Sequence, residues 1–347
     1  MIQPDFEGRW LVTGGAGFIG NNFIRYFLDR YPRLRILVLD KFTYAGNRNN
    51  LPIKDLKSGR LEVFEGDVSD ANLVTYLLKS CSTVVHFAAE THVTRSIFDC
   101  SRFVETDIYG TQNLLMSMLA DESPHLFFHI STSEVYGSAI TESMDEEHPL
   151  NPMSPYAAAK TGADRLVFAF HQTYHLPVVT VRPFNNFGPR QHLEKVIPRF
   201  VTSALTGSEL RVHGDGSARR DFIFVEDTCA AINALMNADV SKIFGETFNI
   251  ASGVDRSISE IALDVLSSVP NSPSSLISIE DRPGQVVRHT GDTTKLKHAT
   301  GWEAQWSFSD ALQATIDWYR SNEPWWRSLW SSREIAIRTR EGNIVYH

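Results

Sequence analysis

Residues 154–160 read Ser-Pro-Tyr-Ala-Ala-Ala-Lys, which sets Tyr156 and Lys160 four positions apart. In a helix that spacing puts a phenol and an ammonium on one face. An ammonium beside a phenol lowers its pKa, so Tyr156 is a candidate base near neutral pH. Alone, Tyr-x-x-x-Lys is a common surface pattern. It gains weight from Ile130-Ser131-Thr132-Ser133-Glu134, which ends a preceding apolar run with hydroxyls and a carboxylate. Catalytic groups of doubly wound sheets gather at the carboxyl ends of strands.

A second constellation lies near the start. Val12-Thr13-Gly14-Gly15-Ala16-Gly17-Phe18-Ile19-Gly20 places Gly14, Gly17 and Gly20 at three-residue spacing, between an apolar run and a helical one. Glycine permits a tight turn and close approach of a pyrophosphate to backbone N–H groups, and a helix N-terminus favours its charge. Asp40 ends the next strand-like run. A carboxylate there accepts from adenine-ribose hydroxyls and repels a 2′-phosphate, which favours NAD over NADP. Lys41 weakens that preference slightly.

These residues need elements to position them. Strands are predicted at Arg9–Thr13, Arg35–Asp40, Leu61–Glu65, Thr83–Ala88, Leu126–Ser131 and Pro177–Arg182. Helices are predicted at Ile19–Arg30, Ala71–Lys79, Ser101–Asp121 and Ser154–Tyr174. Such alternation implies right-handed crossovers and an α/β fold, a Rossmann-type doubly wound parallel sheet. From Pro183 the pattern loosens, with a further strand expected at Asp221–Val225 and a helix at Glu226–Met236. The expected division is a dinucleotide-binding domain over 1–181 and 221–250. A smaller, interleaved C-terminal domain takes 182–220 and 251–330, leaving a tail at 331–347.

Composition excludes several classes. The 347 residues are 42% apolar and 21% charged, a globular balance. A net charge of −8 argues against nucleic acid or anionic membrane as a partner. No apolar run approaches a membrane span. The start of the chain lacks a signal pattern, and Cys81, Cys100 and Cys229 fit no zinc spacing or disulfide framework, so a cytoplasmic, metal-free protein is expected. Residues 182–220 run against the overall charge. They carry seven basic residues (Arg182, Arg190, Lys195, Arg199, Arg211, Arg219, Arg220) against Glu194, Glu209 and Asp215. A local excess of this kind suits a small diphosphate ligand.

Ordered motifs extend the pattern: Asp40–Asn47, Gly66-Asp67, His86–Ser96, Ser131–Gly137, Ser154–Lys160, Asn185–Pro189, Glu194–Pro198, Gly214–Val225 and Arg282-Pro283-Gly284. With Thr13–Gly20 they resemble the extended short-chain dehydrogenase/reductase family over about residues 9–326. Within it they resemble the nucleotide-sugar 4,6-dehydratases, nearest to the dTDP-glucose branch. The resemblance implies NAD held by Gly14, Gly17, Phe18, Ile19, Gly20, Asp40, Lys41, Asp67, Val68, Ala88, Tyr156 and Lys160. It implies a nucleotide-diphosphate sugar held by His92, Arg95, Asn185, Asn186, Lys195, Val196, Arg220 and Arg282. Tyr156 would take the proton of the sugar 4-hydroxyl as hydride passes to NAD, with Thr132 on the 4-oxygen and Lys160 on the nicotinamide ribose. The 4-ketone then acidifies carbon 5, and Glu134 would remove its proton. Water leaves carbon 6, hydride returns there, and a 4-keto-6-deoxy sugar nucleotide results. A homodimer through helices 101–121 and 154–175 is also implied.

The chain departs from the dTDP-glucose pattern at Ser133, at Asp107 and in Arg182–Gln191, where Pro183, Phe184 and Arg190 are more similar to epimerases, decarboxylases and amino-sugar dehydratases. Ser133 stands where that branch has an aspartic acid that protonates the leaving hydroxyl; a serine can only relay or donate a hydrogen bond. Asp107 stands where the family usually has asparagine, and simple substitution is the favoured reading. The Thr132-Ser133-Glu134 arrangement resembles that of GDP-mannose 4,6-dehydratases, which still eliminate water, and also that of UDP-glucuronate decarboxylases and some UDP-sugar 4-epimerases, which use the same transient ketone. These last two are the alternative reactions.

Overall fold

The computed structural model describes residues 3–121, 125–280, 286–334, 336–338 and 343–346. Seven parallel strands form its central sheet. Their spatial order is Thr247–Ile250, Val178–Pro183, Leu126–Ile130, Thr83–His86, Arg9–Thr13, Arg35–Asp40 and Leu61–Glu65. The strands are apolar on both faces because helices cover both sides. Alternate residues divide the core accordingly. Trp10, Val12, Val38 and Phe128 pack with Phe23, Phe27 and Ile232 on one face. Leu11, Leu37, Val84 and Phe127 pack with Leu114 and Val167 on the other. Chain order reverses between Arg9–Thr13 and Thr83–His86, which opens a crevice at the carboxyl ends of those strands.

Two features differ from the sequence-based expectation. The strand Arg219–Phe224 lies outside the main sheet. It pairs with Asp255–Ser257 antiparallel, and with Asn185–Phe187 and Arg288–His289 in parallel. The chain returns through the helix Val225–Met236, and the short strand Thr247–Ile250 closes the main sheet beside Val178–Pro183. The helix expected over Ser101–Asp121 is also interrupted. A π-helical turn at Val104–Tyr109 separates Ser101–Phe103 from Gly110–Ala120. Such turns insert an extra residue and re-aim side chains, and Asp107 sits in this one.

A second core holds the outer layer together. Phe187, Phe200, Phe222, Phe224, Ile261, Leu312, Tyr319 and Trp326 pack between the small sheet and the helices Val196–Thr206, Ile258–Ser268 and Phe308–Ser321. Buried carboxylates pin its segments. Asp221 accepts from the Ser252 N–H and hydroxyl at 2.9 and 2.6 Å, and from the Gly253 and Gly291 N–H groups at 2.9 and 3.2 Å. Asp255 accepts from Arg219 at 2.5 Å, Arg288 at 2.6 Å and Thr290 at 2.5 Å.

Candidate active site

One cleft of about 460 Å³ runs from the glycine turn across the strand ends into the outer layer. Its first wall is the turn after Arg9–Thr13. Gly14 has φ +68°, and a Cβ there would lie 2.6 Å from the Ala88 backbone nitrogen. A Cβ on Gly20 would meet the Gly14 carbonyl at 2.4 Å. Glycine is thus required for the turn to sit on the neighbouring strand and for the helix to sit on the turn. Gly17 caps the helix Phe18–Arg30 without a side-chain hydrogen bond, so its first N–H groups open toward the cleft. Asp40 borders the same space, its two oxygens accepting from Ala16 N and Phe42 N, each at 2.8 Å. Lys41 pairs with Asp67, and Val68 lies beneath. An uncapped helix end facing a buried carboxylate fits a dinucleotide carrying a pyrophosphate and a ribose diol.

Behind the turn a polar chain orders the strand ends. Thr111 donates to the Asp107 carbonyl at 2.5 Å, so it must accept from His86 Nε2, 3.0 Å away. The other ring nitrogen then accepts from Thr13, at 2.7 Å, whose oxygen accepts from Ala88 N at 3.3 Å. The donors fix His86 as the Nε2–H tautomer. Burial, with Lys160 adding to it, lowers its pKa to about 3, which keeps it neutral.

The middle of the cleft gathers Thr132, Ser133, Glu134, Tyr156 and Lys160. Ser154 caps the helix Pro155–Tyr174 by accepting from Ala157 N at 3.1 Å, and Pro155 occupies its first turn. That start aims Tyr156, Lys160 and Asp164 down one face. Lys160 donates to the Ile130 carbonyl at 2.8 Å. Asp164 forms a two-pronged buried pair with Arg182, both bonds at 2.9 Å. Thr132 caps the turn Ser133–Tyr136 by accepting from Glu134 N at 3.2 Å.

The electrostatics correct one expectation. The Tyr156 phenol is not lowered by Lys160. Burial raises its pKa, the Asp107 charge adds to this, and Thr132 against the phenol offsets part. Burial also lowers the pKa of Lys160 itself, opposed by Asp107 and Asp164. Residue spacing revealed the shared helical face but not its depth. Asp107 is almost fully buried; burial raises its carboxyl to about 7, opposed by Lys160 and by the Glu90 N–H. One oxygen accepts from that N–H at 2.9 Å and the other has no hydrogen-bond partner.

The outer end of the cleft carries His92, Asn185, Asn186, Lys195, Val196 and Arg220. Lys195 donates to the Thr91 carbonyl at 3.0 Å and precedes the helix Val196–Thr206, whose N-terminus has no side-chain cap. Arg95 is not on the cleft wall. It lies over the Tyr44 ring at 4.0 Å and faces Glu194 at 3.7 Å. Arg282 lies outside the described residues. The basic excess of 182–220 also divides. Arg182 is spent on Asp164, Arg219 on Asp255, and Arg190 bonds Asn22 at 3.1 Å. Lys195, Arg199, Arg211 and Arg220 are the ones that line the cleft. Sequence reasoning passed over Arg199 and Arg211 as cleft residues, although both stood in the basic segment. It also passed over His289, which is off the cleft wall but buried 3.9 Å from Glu134; no local signal marked it.

The sequence profile of the family described as GDP-mannose 4,6 dehydratase matches residues 11–315. The low-salt glycan biosynthesis protein Agl12 of Haloferax volcanii is 45% identical over 90% of this chain and 99% of its own. The dTDP-glucose 4,6-dehydratase of Streptomyces niveus is 41% identical over 94% and 97%. The crystal structure of the dTDP-glucose 4,6-dehydratase DesIV from Streptomyces venezuelae, with NAD bound, superposes with a TM-score of 0.86 at 41% identity. It covers 92% of this chain and 99% of that one. A UDP-glucose 4-epimerase from Thermotoga maritima superposes nearly as well, at 0.83, but is 26% identical, over 91% of this chain and 99% of that one. Shape is therefore shared across reactions, and sequence separates them. The chain belongs to the GDP-mannose 4,6-dehydratase family, within the extended short-chain dehydrogenases/reductases. It is an NAD-dependent nucleotide-sugar 4,6-dehydratase, a hydro-lyase.

Proposed function

We propose that the cleft takes a nucleoside-diphosphate hexose bearing a free 6-hydroxyl and that Tyr156, Thr132, Glu134 and Lys160 carry its dehydration. The convergence of these four side chains beside the glycine turn, in one cleft, is the observation that supports this. NAD, when bound, supplies a reversible store for the hydride that leaves carbon 4 and returns to carbon 6. Tyr156 removes the 4-hydroxyl proton while Thr132 hydrogen-bonds the 4-oxygen. Lys160, anchored on the Ile130 carbonyl, orients the nicotinamide ribose. With a ketone at carbon 4, the carbon 5 proton is acidic and Glu134 removes it. Ser133 is not an acid and supplies at most a hydrogen bond to the departing oxygen. Asn186, Lys195 and Arg220 hold the diphosphate, with the uncapped end of Val196–Thr206 adding N–H donors.

The glycine turn, Asp40 and Asp67 form the cofactor half, and residues 182–220 supply most of the sugar-nucleotide half. A homodimer is proposed through the helices 101–120 and 155–174. Val104, Tyr109, Met116, Phe168 and Tyr174 expose apolar surface there, which a two-fold partner would cover. No helix among the described residues is long and apolar enough to cross a membrane.

The activity test is a screen of dTDP-, UDP-, GDP- and CDP-hexoses by mass spectrometry. One of them is expected to yield a product lighter by one water. Loss of carbon dioxide from UDP-glucuronate, or an isomer of unchanged mass, overturns the reading.

A further inference from the structure

Glu134 faces a histidine that none of the motifs contains. His289 lies on the short strand Arg288–His289, paired in register with Arg220, and is fully buried. Its Nε2 lies 2.5 Å from the Gly137 carbonyl. A carbonyl can only accept, so Nε2 carries the proton. Nδ1 is then a bare lone pair. It is buried, has no hydrogen-bond partner, and sits 3.9 Å from Glu134 Oε1.

We propose that His289 is the positioning residue of Glu134: its Nδ1 lone pair receives the carboxyl once Glu134 has taken the carbon 5 proton. The inference rests on Glu134 being that base. A lone pair facing a carboxylate disfavours the ionised form and accepts a hydrogen bond from the protonated one. His289 thereby holds the protonated carboxyl in the site. The step balances without another acid. The carbon 5–hydrogen bond breaks and its proton goes to Glu134. The electron pair left behind becomes the carbon 5–carbon 6 double bond as the carbon 6–oxygen bond breaks. The departing hydroxide takes the proton from Glu134 and leaves as water. This arrangement suits a site with Ser133, which has no proton of suitable acidity to give.

The surroundings keep the imidazole neutral. Burial lowers its pKa first. Arg220 on the paired strand and His148 on the loop beyond add to this, against Glu134 and the Gly137 carbonyl, which raise it. Phe184 packs edge-on, 6.2 Å away.

The test is His289→Gln, with Glu134→Gln in parallel. The glutamine amide can keep the bond to the Gly137 carbonyl but places nothing at the Nδ1 position. A purely structural histidine is therefore replaced at little cost. The proposal expects a folded protein with kcat down about tenfold or more and KM within about twofold. An unchanged kcat, or a fall in kcat matched by a large rise in KM, overturns the proposal. If Glu134→Gln turns over normally, the reading of Glu134 itself fails. If it is inactive while His289→Gln behaves as the parent, the His289 proposal alone fails. Should His289→Gln misfold, nitrogen-15 histidine spectra of the unmodified protein decide. A neutral Nε2–H ring for His289 at pH 7 supports the inference, and an imidazolium or Nδ1–H form contradicts it.

Discussion

The two ends of the cleft are built differently. At the cofactor end, one strand–turn–helix supplies Gly14, Gly17 and Gly20 within a few residues, and the next strand supplies Asp40. At the substrate end, cleft residues arrive from helix Val93–Phe98, strand Asn185–Phe187, helix Val196–Thr206, strand Leu210–His213 and strand Arg219–Phe224. The first end is held by backbone geometry, where only glycine fits. The second is held by ion pairs and carboxylate cradles such as those of Asp255 and Asp221. Local geometry serves a cofactor whose phosphates never vary. Assembly from distant segments leaves the sugar nucleotide free to vary between relatives that share the fold.

The comparison can be broken most severely at the junction between the ends. Tyr156→Phe removes the proton acceptor without disturbing the packing around Phe103, and kcat is expected to fall about 10²–10⁴-fold. NAD content and melting temperature should stay near the parent values, and a variant that loses cofactor instead would make Tyr156 a binding residue. Asp164→Asn attacks the scaffold beneath. It leaves the Arg182 guanidinium without a charged partner in the core, at a cost of roughly 3–5 kcal/mol. Thermal unfolding should show it as a large drop in melting temperature, and no drop would mean that Arg182 finds solvent or another acceptor.

A smaller effect separates the ends directly. Lys195→Ala removes a charged donor from the substrate end, and about 1.5–3 kcal/mol should be lost from substrate binding. KM rises while NAD affinity and kcat hold; a fall in kcat with KM unchanged would move Lys195 into the chemistry. The mildest effect is at Asp107. Its carboxyl is raised from 3.8 to about 7, so the fold favours the protonated acid. The stability it contributes is complete below the unfolded value and is lost as pH rises through about 7. Asp107→Asn has nothing to ionise and keeps an acceptor for the Glu90 N–H. It should therefore lose less stability than the parent between pH 6 and pH 8, by on the order of 1 kcal/mol. Parallel melting curves at the two pH values would show no role for this carboxyl.

The cofactor end was legible because its determinants are local. The strands Arg9–Thr13, Arg35–Asp40 and Leu61–Glu65 lie where apolar runs predict them, and the glycine spacing marks the turn between strand and helix. Tyr156 and Lys160 were legible for the same reason, since one helix carries both. What escaped depends on contacts across the chain. The strand Thr247–Ile250 is four residues long and is a strand because Val178–Pro183 lies beside it. The π turn around Asp107 leaves no mark in an apolar periodicity. Arg95 and Arg182 read as ligand-binding charges, but tertiary partners claim them: Tyr44 with Glu194 for one, Asp164 for the other. His289 meets Glu134 across 155 positions of chain, and no spacing rule reaches that far.

The central claim is that one site oxidises carbon 4, eliminates water and returns the same hydride to carbon 6. The most direct measurement uses an accepted sugar nucleotide deuterated at carbon 4, with the product examined by NMR. The account predicts deuterium in the carbon 6 methyl group of a 4-keto product. Deuterium still at carbon 4 of a product that has lost no water would contradict it.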